Sequence, residues 1–309
     1  DQIDLERQLN LQTLQRQRED PFQLSHDLLR RQLYGDGPYG HDPLGQDDEL
    51  PSIGRPQLQE RASQLGCHGS VLVLAGQIPA AVDEHLIEGL NGASWSVPAP
   101  QRSSGPQGCA GSGYSGCSDD TEQLVLMLGC STVPLGSDDA LALRLLHCHL
   151  GVGMSSRLFV ALREEHGLAY DVGVHHPARV GAAPFVFHLS SSADRAEEAT
   201  QQLLAEWQRL LESPLTTGEL ELAQAKFRGQ EALGRQTCSQ LADRLALVLG
   251  HGLPHDFADR SLEAAQQLSP AALQAAAQRL LQRPSLSLCG PAPALASAER
   301  VWSTHPLAC

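Results

Sequence analysis

Residues 149–176 read HLGVGMSSRLFVALREEHGLAYDVGVHH, and this stretch contains the clearest structural signal in the chain. Leu158 and Leu162 are spaced as one apolar face of a helix. Gly167 suits the left-handed residue that ends a helix, and the residues after it alternate as in a strand. The sequence therefore predicts a helix that ends at Gly167, followed by a strand that begins at Tyr170.

Arg163 and Tyr170 are the candidate functional residues of this stretch. Arg163 lies at the edge of the apolar face, and a tight turn can bring it close to Tyr170. An arginine fork and a phenol can both donate hydrogen bonds to a peptide carbonyl or to a developing oxyanion. The same spacing allows a plainer interpretation, in which Arg163 pairs with a nearby carboxylate such as Glu164 or Glu165 and Tyr170 only packs.

The charge of the chain limits its partners. The formal net charge is -14 at pH 7, whereas nucleic acids and anionic membranes both bind basic surfaces. We therefore expect no nucleic-acid partner, and a neutral or basic peptide fits better. The sequence contains no apolar run of about 18 residues, so we also expect no transmembrane segment.

Eight cysteines are distributed along the chain without a C-x-x-C pair. This spacing predicts reduced and mostly buried thiols. Cys109 and Cys117 flank a short segment rich in glycine and serine, and they could form a disulfide bond in an oxidising compartment. The sequence does not determine the compartment, and the cytoplasm is favoured.

The order of the predicted elements indicates the fold class. From residue 122 onward the chain reads as a strand, helices, two strands, several helices and a closing strand. This order predicts an α+β fold in which helices pack on one face of a largely antiparallel sheet. Before it, helices are predicted at 4–19 and 22–33 and a buried strand at 70–78. The sequence therefore predicts two related units of this kind, of which the first is N-terminally incomplete.

The same order predicts three segments. Residues 1–100 are predicted to be the rear part of a first domain, and residues 119–309 a complete second domain that contains Arg163 and Tyr170. Between them, residues 101–118 are rich in glycine, proline and serine and lack a periodic apolar pattern. Such a composition is typical of a linker.

Four motifs along the chain point to a known family. The longest is LGVGMSSRLFVALREEHGLAYDV at 150–172, and the others are PYGHDPLG at 38–45, GSVLVLAGQI at 69–78 and PLTTGELELAQAKFRG at 214–229. Together they resemble motifs of the pitrilysin/insulinase family of zinc metallopeptidases, and the resemblance covers nearly all of the chain. That family includes the subunits of the mitochondrial processing peptidase and their core-protein relatives in the respiratory bc1 complex.

The resemblance implies roles for two residues. In the family, an arginine–tyrosine pair sits across a chamber from the zinc and grips the substrate backbone or the tetrahedral intermediate. Arg163 and Tyr170 match that pair in the frame Leu-Arg-x-x-x-x-Gly-Leu-Ala-Tyr. We therefore expect Arg163 and Tyr170 to bind substrate, and we expect no catalytic residue in this chain.

The zinc motif of that family is absent from the sequence. The family binds zinc through H-x-x-E-H and through a glutamate on a later helix, and no H-x-x-E-H occurs here. DLERQLNLQTL at 4–14 resembles the later helix and places Asp4 where the zinc-binding glutamate stands. The resemblance implies that H-x-x-E-H would precede residue 1 and that Asp4 is the one metal-ligand candidate. We expect zinc in a partner subunit or in a missing upstream segment, and no other cofactor.

The remaining histidines lack the spacing of metal ligands. His147 and His149 lie two apart on one predicted helix, where such positions do not share a face. We expect them to be buried or surface groups. We expect His175 and His176 to be solvated at a strand end, and His41 to fix a loop by hydrogen bonding.

The resemblance and the missing zinc motif together predict a non-zinc, substrate-gripping subunit. It would bind unfolded peptides in a closed chamber opposite the zinc site of a homologous partner, in a heterodimer or in a homodimer, and we expect it to be inactive alone. Two alternatives stay open. The chain could be a fragment of an intact zinc metalloendopeptidase whose H-x-x-E-H segment lies upstream, or a non-catalytic structural subunit like the bc1 core proteins.

Overall fold

The computed structural model of the chain describes residues 2–64, 69–92, 105–109 and 111–308. No helix in these ranges is both long enough and apolar enough to cross a membrane. The elements, in chain order, are α1 (Gln2–Arg18), α2 (Pro21–Tyr34), α3 (Arg55–Ser63), α4 (Val82–Gly92), β1 (Tyr114–Ser118), β2 (Gln123–Ser131), α5 (Ala140–Gly151), a π-helix (Phe159–Glu165), β3 (Asp171–His175), β4 (Pro184–Ser192), α6 (Ala196–Glu212), α7 (Thr217–Leu233), α8 (Cys238–Gly250), α9 (Phe257–Ala265), α10 (Pro270–Leu280), β5 (Ser285–Gly290) and α11 (Ala292–Thr304).

The strands form one mixed sheet in the order β1-β5-β2-β4-β3. β2 pairs antiparallel with both β4 and β5, and β3 pairs antiparallel with β4. β1 and β5 run parallel. The predicted α+β class with a largely antiparallel sheet is confirmed.

One face of the sheet carries the main core. Leu126 and Leu128 of β2 and Phe187 of β4 are fully buried there, because alternate residues of a strand point to the same face. Phe187 meets the indole of Trp207 on α6 edge-on, with ring centroids 4.7 Å apart. Trp207 Nε1 donates a hydrogen bond of 2.8 Å to the backbone carbonyl of Leu281. The apolar stripe of α6 therefore packs against the sheet.

α2 covers the opposite face of the same sheet. Leu29 packs there with Val125 and Met127 of β2, and all three are buried. The hydroxyl of Ser287 on β5 donates a hydrogen bond of 2.7 Å to the backbone carbonyl of Ser25. The helices of the predicted second unit thus lie on one face, and a helix of the predicted first unit buries the other.

The buried strand predicted at residues 70–78 is not formed. These residues adopt neither helix nor strand, and Leu72 is 66% exposed. A strand needs a neighbour that pairs with its N–H and C=O groups. The part of the chain described before Tyr114 contains no strand that could do so. The prediction was wrong because an apolar run indicates strand propensity and does not reveal a pairing partner.

The predicted linker is partly incorporated into the sheet. Tyr114–Ser118 form β1, which the sequence missed because these residues do not alternate between apolar and polar side chains. Just before it, the Cys109 N–H donates a hydrogen bond of 2.7 Å to the carbonyl of Leu33 on α2. Residues 101–104 and 110 of the predicted linker lie outside the described residues.

β5 is not the closing element that the sequence predicts, because α11 follows it directly. Pro293 lies in the first turn of α11, where the fixed φ of proline suits a helix and its missing N–H costs nothing. Trp302 near the end of α11 is buried in the main core. The last helix therefore completes the helical layer on that face.

Candidate functional site

Arg163 lies on a π-helix, Phe159–Glu165, and not on the α-helix that the sequence predicts. The His166 N–H bonds to the Ala161 carbonyl over 3.2 Å, five residues back. Ala161 and Leu162 are buried, and Arg163 next to them is exposed. Single π-turns are rare and are found frequently at functional sites.

A left-handed glycine ends this helix, as predicted. Gly167 has a φ of 62°, a conformation that other residues rarely adopt. The next residue turns back at once, because the Leu168 N–H donates a hydrogen bond of 2.8 Å to the Leu162 carbonyl. The chain therefore reverses within a few residues and delivers Tyr170 to the side on which Arg163 lies.

Arg163 and Tyr170 come into direct contact. Arg163 Nη1 donates a hydrogen bond of 3.0 Å to the backbone carbonyl of Tyr170. The guanidinium also lies 5.3 Å from the ring centroid of Phe159, within range of a cation–π interaction. In the described part of the chain, these two contacts are the ones found for the Arg163 guanidinium, and neither is an ion pair with Glu164 or Glu165.

Tyr170 presents its side chain to solvent. It lies one residue before β3, and its N–H donates a hydrogen bond of 2.9 Å to the Ser190 carbonyl on β4. The residue is exposed, with 59% of its surface accessible to solvent. Among the described residues nothing accepts a hydrogen bond from its hydroxyl or donates one to it. The backbone of Tyr170 is therefore fixed by the sheet while its phenol stays available.

Arg195, just before α6, fixes the turn between the two candidate residues. Its Nη1 donates to the Gly167 carbonyl over 3.0 Å and its Nη2 to the His166 carbonyl over 3.2 Å. Nη2 also forms an ion pair of 2.7 Å with Glu198 on α6. Sequence analysis missed Arg195, because it lies 28 residues from Gly167 and no local pattern links them.

Arg157 anchors the other end of the helical stretch. Its Nε donates a hydrogen bond of 2.8 Å to Oε2 of Glu206 on α6, and Nη2 contacts Oε1 of the same carboxylate. Glu206 is only 8% exposed, and its hydrogen bonds raise the pKa of Arg157. Two-point pairs of this kind are geometrically specific. Both ends of the Arg163 segment are thus attached to α6.

The described residues do not fit a zinc ion. Asp4, the one predicted metal-ligand candidate, is 61% exposed on α1 and forms an ion pair of 2.7 Å with Arg7. Within the described ranges, no three histidine, cysteine, aspartate or glutamate side chains come close enough together to hold a metal.

Two of the histidines outside this site, His41 and His176, have backbone partners. His41 Nε2 donates a hydrogen bond of 3.0 Å to the Asp36 carbonyl, and so fixes its loop as predicted. His176 is not solvated as predicted, because its Nδ1 donates to the Pro184 carbonyl over 2.9 Å. Burial lowers the pKa of His176 to about 4. The neighbouring His175 is exposed.

The two cysteines with a predicted capacity to form a disulfide bond are both free thiols in the structure. Cys117 lies on β1 in register with Cys289 of β5. Burial raises the pKa of Cys289 to about 12 and that of Cys130 to about 12. Such thiols are poor nucleophiles at neutral pH.

Comparison with known proteins gives one family and a consistent fold. The family model described as the peptidase M16 inactive domain matches residues 70–227. An uncharacterized zinc protease of Mycobacterium bovis is 27% identical over 290 residues, which are 92% of this chain and 66% of that protein.

Two solved structures have the same fold. A peptidase M16 inactive domain from Pseudomonas fluorescens superimposes with a TM-score of 0.81 at 20% identity, covering 94% of this chain and 70% of the other. A chain of complex III2 from Candida albicans superimposes with a TM-score of 0.73 at 13% identity, covering 94% of this chain and 74% of the other. At these identities the likeness concerns the fold alone.

Proposed function

Because this chain belongs to the family of the peptidase M16 inactive domain, we propose that it is a substrate-binding subunit of a zinc peptidase. It binds unfolded peptides in a closed chamber, opposite the zinc site of a homologous partner subunit. The chain spans 66% of the length of the Mycobacterium relative, so the activity of a whole protein of that kind is part of the proposal. By itself this chain cleaves no peptide.

The arrangement of Arg163 and Tyr170 is the observation that carries the proposal. One hydrogen bond, to the Tyr170 carbonyl at 3.0 Å, orients the guanidinium and leaves its other N–H groups available. Tyr170, whose carbonyl orients the guanidinium of Arg163, also carries an exposed phenol. A peptide carbonyl that approaches this turn can accept hydrogen bonds from both groups.

The same two donors can stabilise the negative charge that develops on the carbonyl oxygen during peptide hydrolysis. When water attacks a peptide carbonyl, its oxygen becomes an oxyanion, and donors already in place stabilise that charge without reorganising. Arg163 and Tyr170 are positioned in advance, the first by its hydrogen bond and the second by its backbone in the sheet. Removing one such donor typically costs about 10²–10³ in rate. Zinc and the attacking water belong to the partner in this proposal.

The electrostatics support a neutral or basic peptide as substrate. The net charge of the chain is -14, and Glu164 and Glu165 directly follow Arg163 on the exposed side of the π-helix. A basic peptide is attracted to such a surface and an acidic peptide is repelled. The peptide must be unfolded, because Arg163 and Tyr170 can reach only a carbonyl that is free of secondary structure.

A second candidate is a fragment of an intact zinc peptidase. The Mycobacterium bovis relative is named a zinc protease and extends beyond the matched segment. In that case Arg163 and Tyr170 would serve a zinc site of the same polypeptide. The alternative of a non-catalytic structural subunit is supported by the similarity in fold to the complex III2 chain.

Peptide binding and cleavage test the proposal. Fluorescence anisotropy with a labelled, unfolded basic peptide would compare the wild type with Arg163→Gln, Tyr170→Phe and the double variant. A purified zinc-bearing homologous subunit would then be assayed for peptide cleavage with and without each chain. Arg300→Gln, which replaces an exposed arginine on α11, is the matched control.

We expect each single variant to weaken peptide binding at least fivefold and to lower cleavage at least tenfold in the assembled enzyme, while the control behaves as the wild type. Equal binding and cleavage by all variants would contradict the proposal and favour the structural subunit. Zinc-dependent cleavage by a longer form of this polypeptide without a partner would favour the second candidate.

A further inference from the structure

A cavity of about 400 Å³ lies between α5, the chain before β4, α8 and α9. It is separate from the turn that carries Arg163 and Tyr170, since neither residue lines it. Its walls are mostly apolar and include Val133, Leu135, Ala183, Val248 and Phe257. Cavities of this size and character are typical of small-molecule sites.

Two arginines line this apolar cavity and share a single carboxylate. Arg144 Nη2 on α5 forms an ion pair of 2.9 Å with Oε1 of Glu231 on α7. Arg244 Nη2 on α8 contacts the other oxygen, Oε2. The Glu231 side chain is only 5% exposed. Two guanidinium groups therefore share the one buried carboxylate of Glu231.

The arginine pair is incompletely satisfied. The Nε of Arg244 is buried and has no hydrogen-bond partner among the described residues, and Oε2 of Glu231, although close to Nη2 of Arg244, forms no hydrogen bond there either. Burial lowers the pKa of Arg144, and burial together with the charge of Arg144 lowers the pKa of Arg244 against a raising effect of Asp259. Burial is the largest cause for both arginines, because removing a guanidinium from water disfavours its charged form. A bound anion could accept a hydrogen bond from the Nε of Arg244 and would stabilise the charged form of both buried guanidinium groups.

The geometry of Arg144 is already fixed. Its guanidinium lies 4.7 Å from the ring centroid of Phe227 on α7, in a cation–π contact. Together with the ion pair to Glu231, this contact holds the guanidinium in one place at the cavity wall. A preorganised charge costs little further ordering when a ligand binds.

We propose that this cavity binds a carboxylate joined to an apolar group. The carboxylate pairs with Arg144 and Arg244, and the apolar group fills the space lined by Leu135, Val248 and Phe257. Carboxylates match the planar fork of arginine, and a ligand with a bare charge would leave the apolar walls unfilled. Two sources offer this chemistry, namely a free aliphatic acid and the C-terminus of a peptide that ends in an apolar residue.

Two other titratable groups of the lining, Asp243 and His176, are compatible with this ligand. Asp243 is exposed, so water screens its charge from a buried carboxylate. His176 is half-buried, and its Nδ1–H is occupied by the Pro184 carbonyl. Neither group neutralises the two arginines inside the cavity, because the His176 imidazole is uncharged, with a pKa of about 4, and the Asp243 carboxylate lies in solvent.

Isothermal titration calorimetry of the full chain with sodium octanoate tests the proposal. Octan-1-ol tests the need for the carboxylate, and acetate tests the need for the apolar group. An acetylated tetrapeptide that ends in leucine, compared with its C-terminal amide, distinguishes the two sources. Arg244→Gln removes one guanidinium, and Arg260→Gln is the matched control because Arg260 lies exposed on α9 and does not line the cavity.

We expect octanoate to bind at least tenfold more tightly than octan-1-ol or acetate, and Arg244→Gln to weaken it at least tenfold. If the tetrapeptide binds and octanoate does not, the source is a peptide C-terminus. Ala178→Leu fills the cavity and keeps every charge, so it should also abolish binding if Arg244→Gln fails to fold. Failure of both carboxylates to bind, or equal binding of octanoate and octan-1-ol, would overturn the proposal.

Discussion

Arg163 and Tyr170 are joined through a backbone carbonyl and not through the phenol, since Nη1 of Arg163 donates to the Tyr170 carbonyl over 3.0 Å. The side chain of Tyr170 thus contributes nothing to this contact. We expect Tyr170→Phe to change the free energy of unfolding by less than about 0.5 kcal/mol, as is usual for an exposed surface substitution. Urea denaturation followed by circular dichroism measures this.

Stability and substrate binding therefore separate at this residue. A Tyr170→Phe chain that is as stable as the wild type and binds peptide more weakly has lost a substrate contact. A clear loss of stability would show instead that the Tyr170 hydroxyl supports the fold, and its proposed role would have to be withdrawn.

Arg195 positions the turn without touching substrate in our proposal. Arg195→Ala removes donors to the Gly167 and His166 carbonyls, and each partly exposed hydrogen bond is worth about 1 kcal/mol. We expect the variant to unfold about 1–2 kcal/mol more easily and to bind peptide more weakly, because Arg163 loses its fixed turn.

Arg209→Gln is the control for Arg195, because Arg209 also pairs with a carboxylate at an exposed site, that of Glu219. Chemical denaturation and peptide anisotropy would be run on both variants. Addition of guanidinium ion should restore part of the lost binding only in Arg195→Ala. Identical behaviour of the two variants would show that Arg195 does not position the turn.

We expect replacement of glycine by alanine to have opposite effects on stability at two positions, Gly167 and Gly229. Gly167 has a φ of 62°, so Gly167→Ala strains the backbone and should cost about 1–2 kcal/mol. Gly229 lies within α7, and an added Cβ would meet no atom within 4 Å apart from its chain neighbours and the backbone of its own helix, so Gly229→Ala should stabilise the chain by about 1 kcal/mol. Thermal unfolding of both variants gives the signs directly, and a stabilising Gly167→Ala would refute the left-handed turn.

We expect protonation of His149 to lower the free energy of unfolding in acid. Burial lowers its pKa to about 4 from 6.5, against a raising effect of Glu219, and Arg209, Lys226 and Arg157 lower it further. The unfolded chain therefore binds a proton between pH 6.5 and about 4 that the folded chain does not. The free energy of unfolding should fall over this range by at most about 3 kcal/mol on account of His149.

The variant His149→Gln isolates this contribution. Its free energy of unfolding should fall less steeply than that of the wild type as the pH decreases from 7 to about 4. His255→Gln replaces an exposed histidine and serves as the control. Parallel pH profiles for wild type and His149→Gln would show that His149 does not bind its proton differently in the folded state.

Sequence patterns predicted most of the second unit. The apolar run of β2, the alternation in β3 and the stripe of α6 all appear where periodicity places them. β1 was not predicted, because its parallel pairing with β5 depends on residues about 170 positions away and not on its own pattern. The apolar run at 70–78 failed for the opposite reason, since its composition favours a strand that the described chain cannot pair.

The candidate site divides in the same way. The identities of Arg163 and Tyr170, the glycine that ends the helix and the missing H-x-x-E-H motif can all be read from neighbouring residues, because helices, turns and motifs are local. The carbonyl contact, the support from Arg195 and the arginine pair around Glu231 required the folded chain. The Arg195 and Arg144–Glu231 contacts join residues far apart in sequence, so no local spacing could reveal them. The spacing of Arg163 and Tyr170 predicted that they lie close together, but only the folded turn showed that the backbone carbonyl makes the contact.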